Sequence, residues 1–284
     1  MTICLVSMVR NEEPRIGRMI ASVVGFVDHA VILDTGSTDR TIDTARRVLT
    51  AHSIEHEIHS REWVDFGTGR TQLYDLARDH DWQFLLDGDM TATVSPYVAN
   101  WLRSEAKADA FMVQLRQPGL EWRLPMLTRG HQDWRYVGAI HEGLDRTGRD
   151  VQELFADNIS IWHHGDNGRA GKLEERLALL ETKPDDPHSV YYAAQTLRDL
   201  GRTVEAIEAY RQCAGMPEAD PDHRWHARYQ AAALAGDVAE LVACADDQDS
   251  RAEPLRAAAR ILEARADSLI MPTGLFVEPD AYRR

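Results

Sequence analysis

The chain has 284 residues, of which 44% are hydrophobic and 27% are charged, the composition of an ordinary globular protein. This length predicts about two domains and allows a core that needs no disulfide or metal to hold it together. The 46 acidic residues outnumber the 32 basic ones and give a formal net charge of −14. That charge disfavours a protein that holds nucleic acid mainly through a basic surface.

The cysteine positions and the hydropathy of the chain indicate its cellular compartment. Cys4, Cys213 and Cys244 are far apart in the sequence and fit neither a disulfide framework nor a cysteine-based zinc site. The apolar run before Arg10 is too short for a signal peptide and lacks its basic start. No apolar stretch approaches the length of about 18 residues that a membrane span requires. We therefore expect a soluble, cytoplasmic protein.

The first third of the chain alternates between strand and helix patterns. Short apolar runs predict buried strands, and apolar residues three and four apart predict helices. The predicted strands cover residues 3–6, 31–33, 56–58 and 83–86, and the predicted helices cover residues 11–24, 42–49 and 71–78. Such alternation predicts a mostly parallel sheet, in which ligands bind beyond the carboxyl ends of the strands. Asp34 and Asp87 both follow such ends.

The pattern changes from about residue 110. Strands are predicted at residues 111–115 and 159–162, and the stretch between them is rich in Trp, Arg, Gly and Pro. A long, loop-rich segment of this kind is usually functional.

From Lys172 onward the pattern is helical, with a last helix predicted at residues 252–266. Gly201 and Gly236 are 35 residues apart, close to the period of tetratricopeptide helix pairs, and residues 200–210 resemble the turn and second helix of that repeat. We predict three regions: residues 1–168, a helical domain at residues 169–270, and a tail at residues 271–284.

The strongest local signal is Asp87-Gly88-Asp89, directly after a predicted buried strand. Its two carboxylates can face one point, and the glycine lets the backbone and a ligand approach each other. Such oxygen ligands suit Mg²⁺ or Mn²⁺, which would in turn hold a diphosphate. The alternative is a turn with two solvated aspartates.

Three further segments precede this motif. They are residues 6–13 (VSMVRNEE), residues 31–41 (VILDTGSTDRT) and residues 66–70 (FGTGR). In this order and spacing the four segments resemble glycosyltransferase family 2, over roughly residues 2–165. The resemblance implies the GT-A fold, an α/β architecture with a Rossmann-like mixed sheet.

Later segments narrow the resemblance to one subgroup. A His-Glu pair at residues 141–142 and the sequence IWHHG at residues 161–165 precede the helical region. They resemble family members with C-terminal tetratricopeptide-like helices, which transfer sugars from nucleotide donors to glycans and in some cases to peptides. An all-α, tetratricopeptide-like domain is therefore expected after the GT-A domain.

The resemblance implies a nucleotide-sugar site. Its expected members are Ser7, Arg10, Asn11, Glu12, Asp34, Arg70, Asp87 and Gly88. Asp34 would bind the uracil or ribose of a UDP-sugar, and Arg70 would contact the diphosphate. The alternatives are a turn role for Asp34, a helix-start carboxylate for Glu12 and an exposed ion pair for Arg70. Thr71 stands where the family often has Asn.

The resemblance also implies a Mn²⁺ or Mg²⁺ site. Asp89 is the expected direct ligand, Asp87 is shared between the metal and the ribose or sugar, and His163 is a further ligand. His164, its neighbour, is the weaker candidate. A structural histidine is the alternative for both.

The expected reaction is inverting transfer, which requires a general base. Glu142 is the candidate and Asp133 is the second choice, while an ion pair of Glu142 with Arg135 is the alternative. Three aromatic residues could stack on a sugar or pack in the core: Trp122, Trp134 and Tyr136.

The acceptor and two rival functions stay open. A growing glycan is the first expectation, and a peptide side chain or a hydroxymethylated DNA base are the alternatives. A nucleotidyltransferase usually has a glycine-rich, basic loop after its first strand, which residues 6–13 lack. The other rival is an inactive tetratricopeptide adaptor, because helical repeats form partner surfaces and homo-oligomer contacts.

Overall fold

The computed structural model describes residues 1–104, 107–145, 150–165, 171–247 and 253–269. The chain divides into two compact units, Met1–Lys172 and Leu173–Arg284. The predicted tail lies outside the described residues, and the predicted domain boundaries stay predictions.

The first unit combines strands and helices. In chain order it contains β1 (Ile3–Val9), α1 (Glu13–Ala21), β2 (His29–Asp34), α2 (Thr41–Ala51), β3 (Glu55–Ser60), α3 (Phe66–Leu76), β4 (Trp82–Leu85), β5 (Met90–Val94), α4 (Val98–Ser104), β6 (Ala110–Gln117), β7 (Leu120–Arg129), β8 (Tyr136–Val137), β9 (Gly143–Leu144) and β10 (Glu153–His163). Strands β8 and β9 pair with each other, and the other eight form one sheet.

The large sheet has the order β3-β2-β1-β4-β7-β6-β10-β5. Strands β3, β2, β1 and β4 are parallel, β7 is antiparallel to both β4 and β6, and β10 is parallel to β6 and antiparallel to β5. Strands β1, β2, β4, β6 and β10 therefore all end at the same edge of the sheet. The predicted α/β class with a mixed, Rossmann-like sheet is confirmed.

The centre of this sheet explains its apolar sequence. All seven residues of β1 are buried, because the strand pairs on both sides and is covered on both faces. Val6 lies opposite Val31 of β2 and Leu85 of β4. A strand covered in this way reads as a continuous apolar run rather than an alternating one. The predicted strand at residues 3–6 extends to Val9.

Helix α3 begins at Phe66, five residues before its predicted start. The carboxylate of Asp65 caps it by accepting a hydrogen bond from the Thr68 amide at 2.7 Å. Gly67 and Gly69 obscure this helix in the sequence, because glycine disfavours helix interiors. Close packing requires glycine at position 67, where the neighbour is backbone, and favours it at position 69, where the neighbour is the flexible side chain of Met8. A β-carbon on Gly67 would lie 2.6 Å from the Gly138 carbonyl oxygen, and one on Gly69 would collide with Met8.

The second unit is helical. Its elements are α5 (Lys172–Glu181), α6 (Pro187–Asp199), α7 (Thr203–Ala214), α8 (Pro221–Ala235), α9 (Val238–Asp246) and α10 (Glu253–Leu269). From α6 onward each helix packs on the next. Gly201 and Gly236 both have a positive φ and follow α6 and α8, so the 35-residue spacing marks equivalent helix ends. Within the described part of the chain, no helix has the length and hydropathy of a membrane span.

Candidate active site

Four loops meet at the carboxyl edge of the large sheet. The loop after β2 is tied to β1 by the Thr35 amide, which donates to the Val9 carbonyl oxygen at 3.0 Å. The loop after β4 is tied to the end of β10 by the His164 amide, which donates to the Asp89 carbonyl oxygen at 2.9 Å. Most residues predicted for the site therefore lie on neighbouring loops.

The loops after β1 and β2 are held together by Asn11. Its amide donates to the Ser37 hydroxyl at 3.0 Å, and its side-chain oxygen accepts from the Thr38 amide at 2.8 Å. The buried carboxylate of Asp34 accepts from the Ser37 amide at 3.0 Å. Asn11 and Asp34 thus both have a turn-forming role, while Arg10 is exposed beside them.

Glu12 lies against the Asp-x-Asp turn. A β-carbon on Gly88 would stand 2.7 Å from Cγ of Glu12, so this glycine leaves room for the glutamate. Arg15 pairs with the Glu12 carboxylate at 2.8 Å. Burial raises the pKa of Glu12, Arg15 opposes the rise, and the nearby Asp89 and Asp87 add to it. Three carboxylates therefore crowd one turn.

Arg70 links the Asp-x-Asp turn to Glu142. Its side chain is buried; Nη2 donates to Asp87 Oδ2 at 2.9 Å, and Nε donates to Glu142 Oε1. Burial acts to lower the pKa of Arg70, but Asp87 and Glu142 raise it well above its usual value. The buried Nη1 atom has no hydrogen-bond partner. Glu142 thus pairs with Arg70, and the exposed ion pair considered for Arg70 is not what the structure has.

Asp89 and His163 form a second pair. His163 Nε2 lies 3.1 Å from Asp89 Oδ2, and this contact, opposed by burial, raises the pKa of His163. Burial acts to raise the pKa of Asp89, but His163 and more distant charges lower it. His163 Nδ1 lies 3.2 Å from Gln117 Oε1. Since the amide oxygen and the ionised Asp89 carboxylate both only accept, this arrangement favours the form of His163 that carries a proton on each ring nitrogen.

Gln117 was missed by the sequence reasoning. It ends β6, and the pairing of β6 with β10 brings it to His163, 46 residues later in the chain. No local pattern marks such a contact. His164 turns elsewhere, with Nε2 2.9 Å from the Thr91 hydroxyl.

The positions of Asp89 and His163 can be compared with those of two ligands of one metal ion. In the described ranges no group of three or more His, Cys, Asp or Glu is arranged to hold one, and Asp87 contacts Arg70 instead. Two ligands about 2.1 Å from one octahedral ion and at right angles to each other lie about 3 Å apart. The 3.1 Å between Asp89 Oδ2 and His163 Nε2 fits two such ligands.

Other predicted residues lie outside this cluster. Asp133 is exposed and contacts Arg78 and Arg135, near the C-terminal end of α3. Ser7 is fully buried within β1, and its hydroxyl has no hydrogen-bond partner. Thr71 accepts a hydrogen bond from the Tyr136 amide at 2.9 Å.

The three aromatic candidates lie in different surroundings. Trp134 is buried and donates to the Arg129 carbonyl oxygen, and the Tyr136 hydroxyl donates to the Tyr74 hydroxyl. Trp122 is half-buried, with its ring edge-on to His163 at 6.1 Å. Trp122 is therefore the aromatic candidate that lies beside His163.

Comparison with known sequences identifies distant relatives. No family model matches the chain. A tetratricopeptide-repeat-containing protein of Synechococcus elongatus is 26% identical over 267 residues, covering 86% of this chain and 64% of that protein. The prophage-derived glycosyltransferase SunS of Bacillus subtilis is 21% identical over 232 residues, covering 71% and 50%. The chain thus spans between half and two thirds of the length of these relatives.

Solved structures share the fold. TarS of S. aureus (residues 1–349) has a TM-score of 0.50 and 11% identity, with 94% of this chain and 92% of that chain covered. The mannosyltransferase PcManGT of Pyrobaculum calidifontis, solved with GDP-Man and Mn²⁺, has a TM-score of 0.50 and 15% identity, with 95% and 81% covered. The predicted resemblance is confirmed at the level of fold: the chain has the GT-A fold of glycosyltransferases, followed by a unit of packed helices.

Proposed function

We propose that the chain is a metal-dependent, inverting glycosyltransferase that moves a sugar from a nucleoside diphosphate, with UDP the expected nucleotide, to a glycan. The observation that carries the proposal is the buried Arg70 guanidinium between Asp87 and Glu142. Its unpartnered Nη1 is a buried donor, which is costly unless a ligand satisfies it. A guanidinium at a sheet edge suits a phosphate group, with which it forms strong, charge-assisted hydrogen bonds.

Donor binding is proposed to involve both sides of this edge. Asp34 accepts the Ser37 amide with one carboxylate oxygen, and the other oxygen would accept from the base or ribose. Asn11 acts indirectly by fixing the two loops, while the exposed Arg10 beside it and Gly88, which lies against Glu12, are further proposed donor contacts. The GDP-Man bound by PcManGT supports a nucleotide sugar as the donor class. Which nucleobase the donor carries is left to experiment.

Metal binding is proposed at Asp89 and His163, with Asp87 completing the protein ligands when the donor draws Arg70 towards its phosphates. When bound, the ion stabilises the negative charge of the departing diphosphate. An imidazole ligand favours Mn²⁺ over Mg²⁺, which prefers oxygen ligands and water. The hydrogen bond between His163 and Gln117 supports this assignment, because metal-binding histidines usually donate their second nitrogen to an acceptor.

Glu142 is proposed as the general base. Arg70 holds its Oε1 atom, which fixes the carboxylate and leaves Oε2 to accept the proton of an acceptor hydroxyl. The acceptor oxygen then forms a bond to the anomeric carbon as the bond from that carbon to the diphosphate breaks. The diphosphate leaves with the electron pair, and attack from the opposite face inverts the anomeric centre.

A glycan is the proposed acceptor, with a peptide or a hydroxymethylated DNA base as other outcomes. The net charge of −14 disfavours a DNA acceptor, whose phosphates require basic contacts. A protein partner or a second copy of the chain at the helical unit stays a further possibility to be measured.

The test is calorimetric titration of the full chain with a panel of nucleoside diphosphate sugars, with Mn²⁺ and with chelator. We expect one donor to bind with Mn²⁺ and to lose at least about tenfold in affinity with chelator or in Asp89→Ala. Asp43→Ala, at an exposed position of α2, is the matched control and should bind like the wild type. Absence of binding by every donor would overturn the proposal and favour the adaptor.

A further inference from the structure

The second unit repeats its chemistry as well as its helices. The equivalent glycines after α6 and α8 set an offset of 35 residues between the two copies. At this offset three pairs of residues match in type or in hydrogen-bonding capacity: His188 with His223, Tyr191 with His226, and Gln195 with Gln230. We call these six residues the polar ladder. Positions three and seven residues apart lie on one face of a helix, so each copy presents its three residues together.

The two halves of the ladder touch. The rings of Tyr191 and His223 are stacked, with centroids 4.1 Å apart and planes 11° apart. The Tyr191 hydroxyl lies 2.7 Å from His226 Nδ1. Gln230 donates to His226 Nε2 at 3.1 Å, so Nδ1 is the protonated nitrogen that faces Tyr191. Gln195, one turn along α6, acts to lower the pKa of the Tyr191 hydroxyl. One hydrogen-bond chain therefore crosses from α6 to α8.

The ladder carries no permanent charge. Burial lowers the pKa of His223 and raises the pKa of Tyr191, so both neutral forms are favoured. Five of the six side chains are half-buried, and Tyr191 is buried. Tyr192 extends the aromatic surface, since its ring lies 4.6 Å from the ring of His188. The face thus combines aromatic rings with amide, imidazole and phenol groups.

We propose that the polar ladder binds a neutral oligosaccharide, the acceptor glycan of the transferase. This inference rests on the proposed function for the role of that glycan, but the binding itself is a property of the helical unit. The apolar face of a sugar ring suits an aromatic side chain, and its hydroxyls pair with groups that both donate and accept. A repeated set of groups on neighbouring helices suits a ligand with a repeating structure.

The charge and composition of the polar ladder favour an oligosaccharide over other polymers. A nucleic acid or a phosphopeptide requires clustered Arg or Lys side chains, whereas the six ladder residues include none, and Arg198 of α6 is a single cation that acts on Tyr191. Paired carboxamides would also suit the backbone of an extended peptide. The aromatic and imidazole rings favour the oligosaccharide, and a peptide is an outcome of the test that would overturn it.

The test uses the full chain on an array of neutral oligosaccharides and on a peptide array, followed by calorimetry of the best oligosaccharide. We expect the wild type to bind oligosaccharides and the Gln195→Ala/Gln230→Ala double variant to bind them at least about tenfold more weakly. Gln212→Ala, at an exposed position of α7, removes the same group and should bind like the wild type. If the double variant melts early, the two single variants provide the same comparison.

Three results would overturn the proposal: binding to peptides alone, binding on neither array, or oligosaccharide binding unchanged in the folded Gln195 and Gln230 variants. Donor titration of the same preparations separates this proposal from the proposed function. Donor binding without oligosaccharide binding would overturn only the proposal that the polar ladder binds a glycan. Oligosaccharide binding in a protein that binds none of the donors would support the proposal for the polar ladder and overturn the proposed transferase function.

Discussion

Two ion clusters, one in the first half of α3 and one just beyond its C-terminal end, each have an arginine between two carboxylates but lie in different surroundings, and Arg135 also joins the second one. In the first half, Arg70 joins Asp87 and Glu142, and the Arg70 and Glu142 side chains are only 10% and 11% exposed. Beyond the end, Arg78 joins Asp75 and Asp133, and the Arg78 and Asp133 side chains are 39% and 62% exposed.

This difference decides which cluster suits catalysis. Charges in a buried site interact strongly, because little water screens them, and their positions are fixed by packing. Exposed ion pairs are screened by water and salt and contribute little. Of the two base candidates, Glu142 shares an arginine with the Asp-x-Asp motif, whereas Asp133 belongs to the exposed cluster. Burial therefore separates two residues that the sequence presents as comparable.

Removing the buried arginine should have the largest effect. Arg70→Met keeps the length of the side chain but leaves the half-buried carboxylates of Asp87 and Glu142 without their cation. We expect the free energy of unfolding to fall by about 3–5 kcal/mol, and turnover in the fraction that folds to fall at least about thousandfold. Denaturant titration and a sugar-transfer assay measure the two effects.

Arg70→Lys is the control for charge alone. It keeps a cation but loses the planar fork that reaches both carboxylates, so stability should recover in part while turnover stays low. A stable Arg70→Met variant with wild-type turnover would contradict the role of this cluster.

Replacing each base candidate compares the clusters directly. Glu142→Gln keeps the size of the side chain and removes its capacity to accept a proton at neutral pH. We expect transfer to fall about a hundredfold or more, with donor affinity unchanged. Asp133→Asn is the matched exposed variant and should transfer at the wild-type rate. The reverse result would move the base to Asp133.

A glycine substitution tests whether packing at the start of α3 positions Glu142. In Gly67→Ala the new β-carbon would lie 2.6 Å from the Gly138 carbonyl oxygen, so the segment that leads to Glu142 has to move. We expect a loss of about 1–3 kcal/mol in stability and about tenfold in transfer. Donor affinity, set mainly by other loops, should change less.

Gly143→Ala is the control for this substitution. It alters the residue next to Glu142, where an added β-carbon would meet no atom within 4 Å. Stability should stay within about 0.5 kcal/mol of the wild type. Equal losses in both variants would show that the collision at Gly67 is not the cause.

The parallel half of the sheet could be predicted from the sequence because its strands are encoded locally. Strands β1, β2 and β4 are buried apolar runs, and a reader needs only a few consecutive residues to find them. Strand β5 and the full β6–β7 hairpin were missed. Strand β7 exposes much of its length and contains Pro125, and its place depends on pairing with β4 and β6.

The residues of the candidate site also differ in whether the local sequence indicates them. Asp87, Glu142 and His163 are candidates from the sequence because each lies in a short motif, although the sequence did not indicate that Arg70 joins the first two. Gln117 and Arg15 were missed, since neither belongs to such a motif and their roles arise from contacts. The tests at Asp89, Arg70 and Glu142 are what can convert the remaining site predictions into assignments.

The smallest effect is expected in the exposed cluster. Arg78→Ala removes a cation that contacts Asp75 and Asp133, but solvent already screens these charges. Transfer should match the wild type, and the melting temperature should shift slightly at low salt and less at high salt, because added ions weaken exposed pairs further. Thermal melts at both salt concentrations measure this. A loss of transfer in Arg78→Ala comparable to that in Arg70→Met would mean that both ends of α3 act on the reaction, and burial would no longer distinguish them.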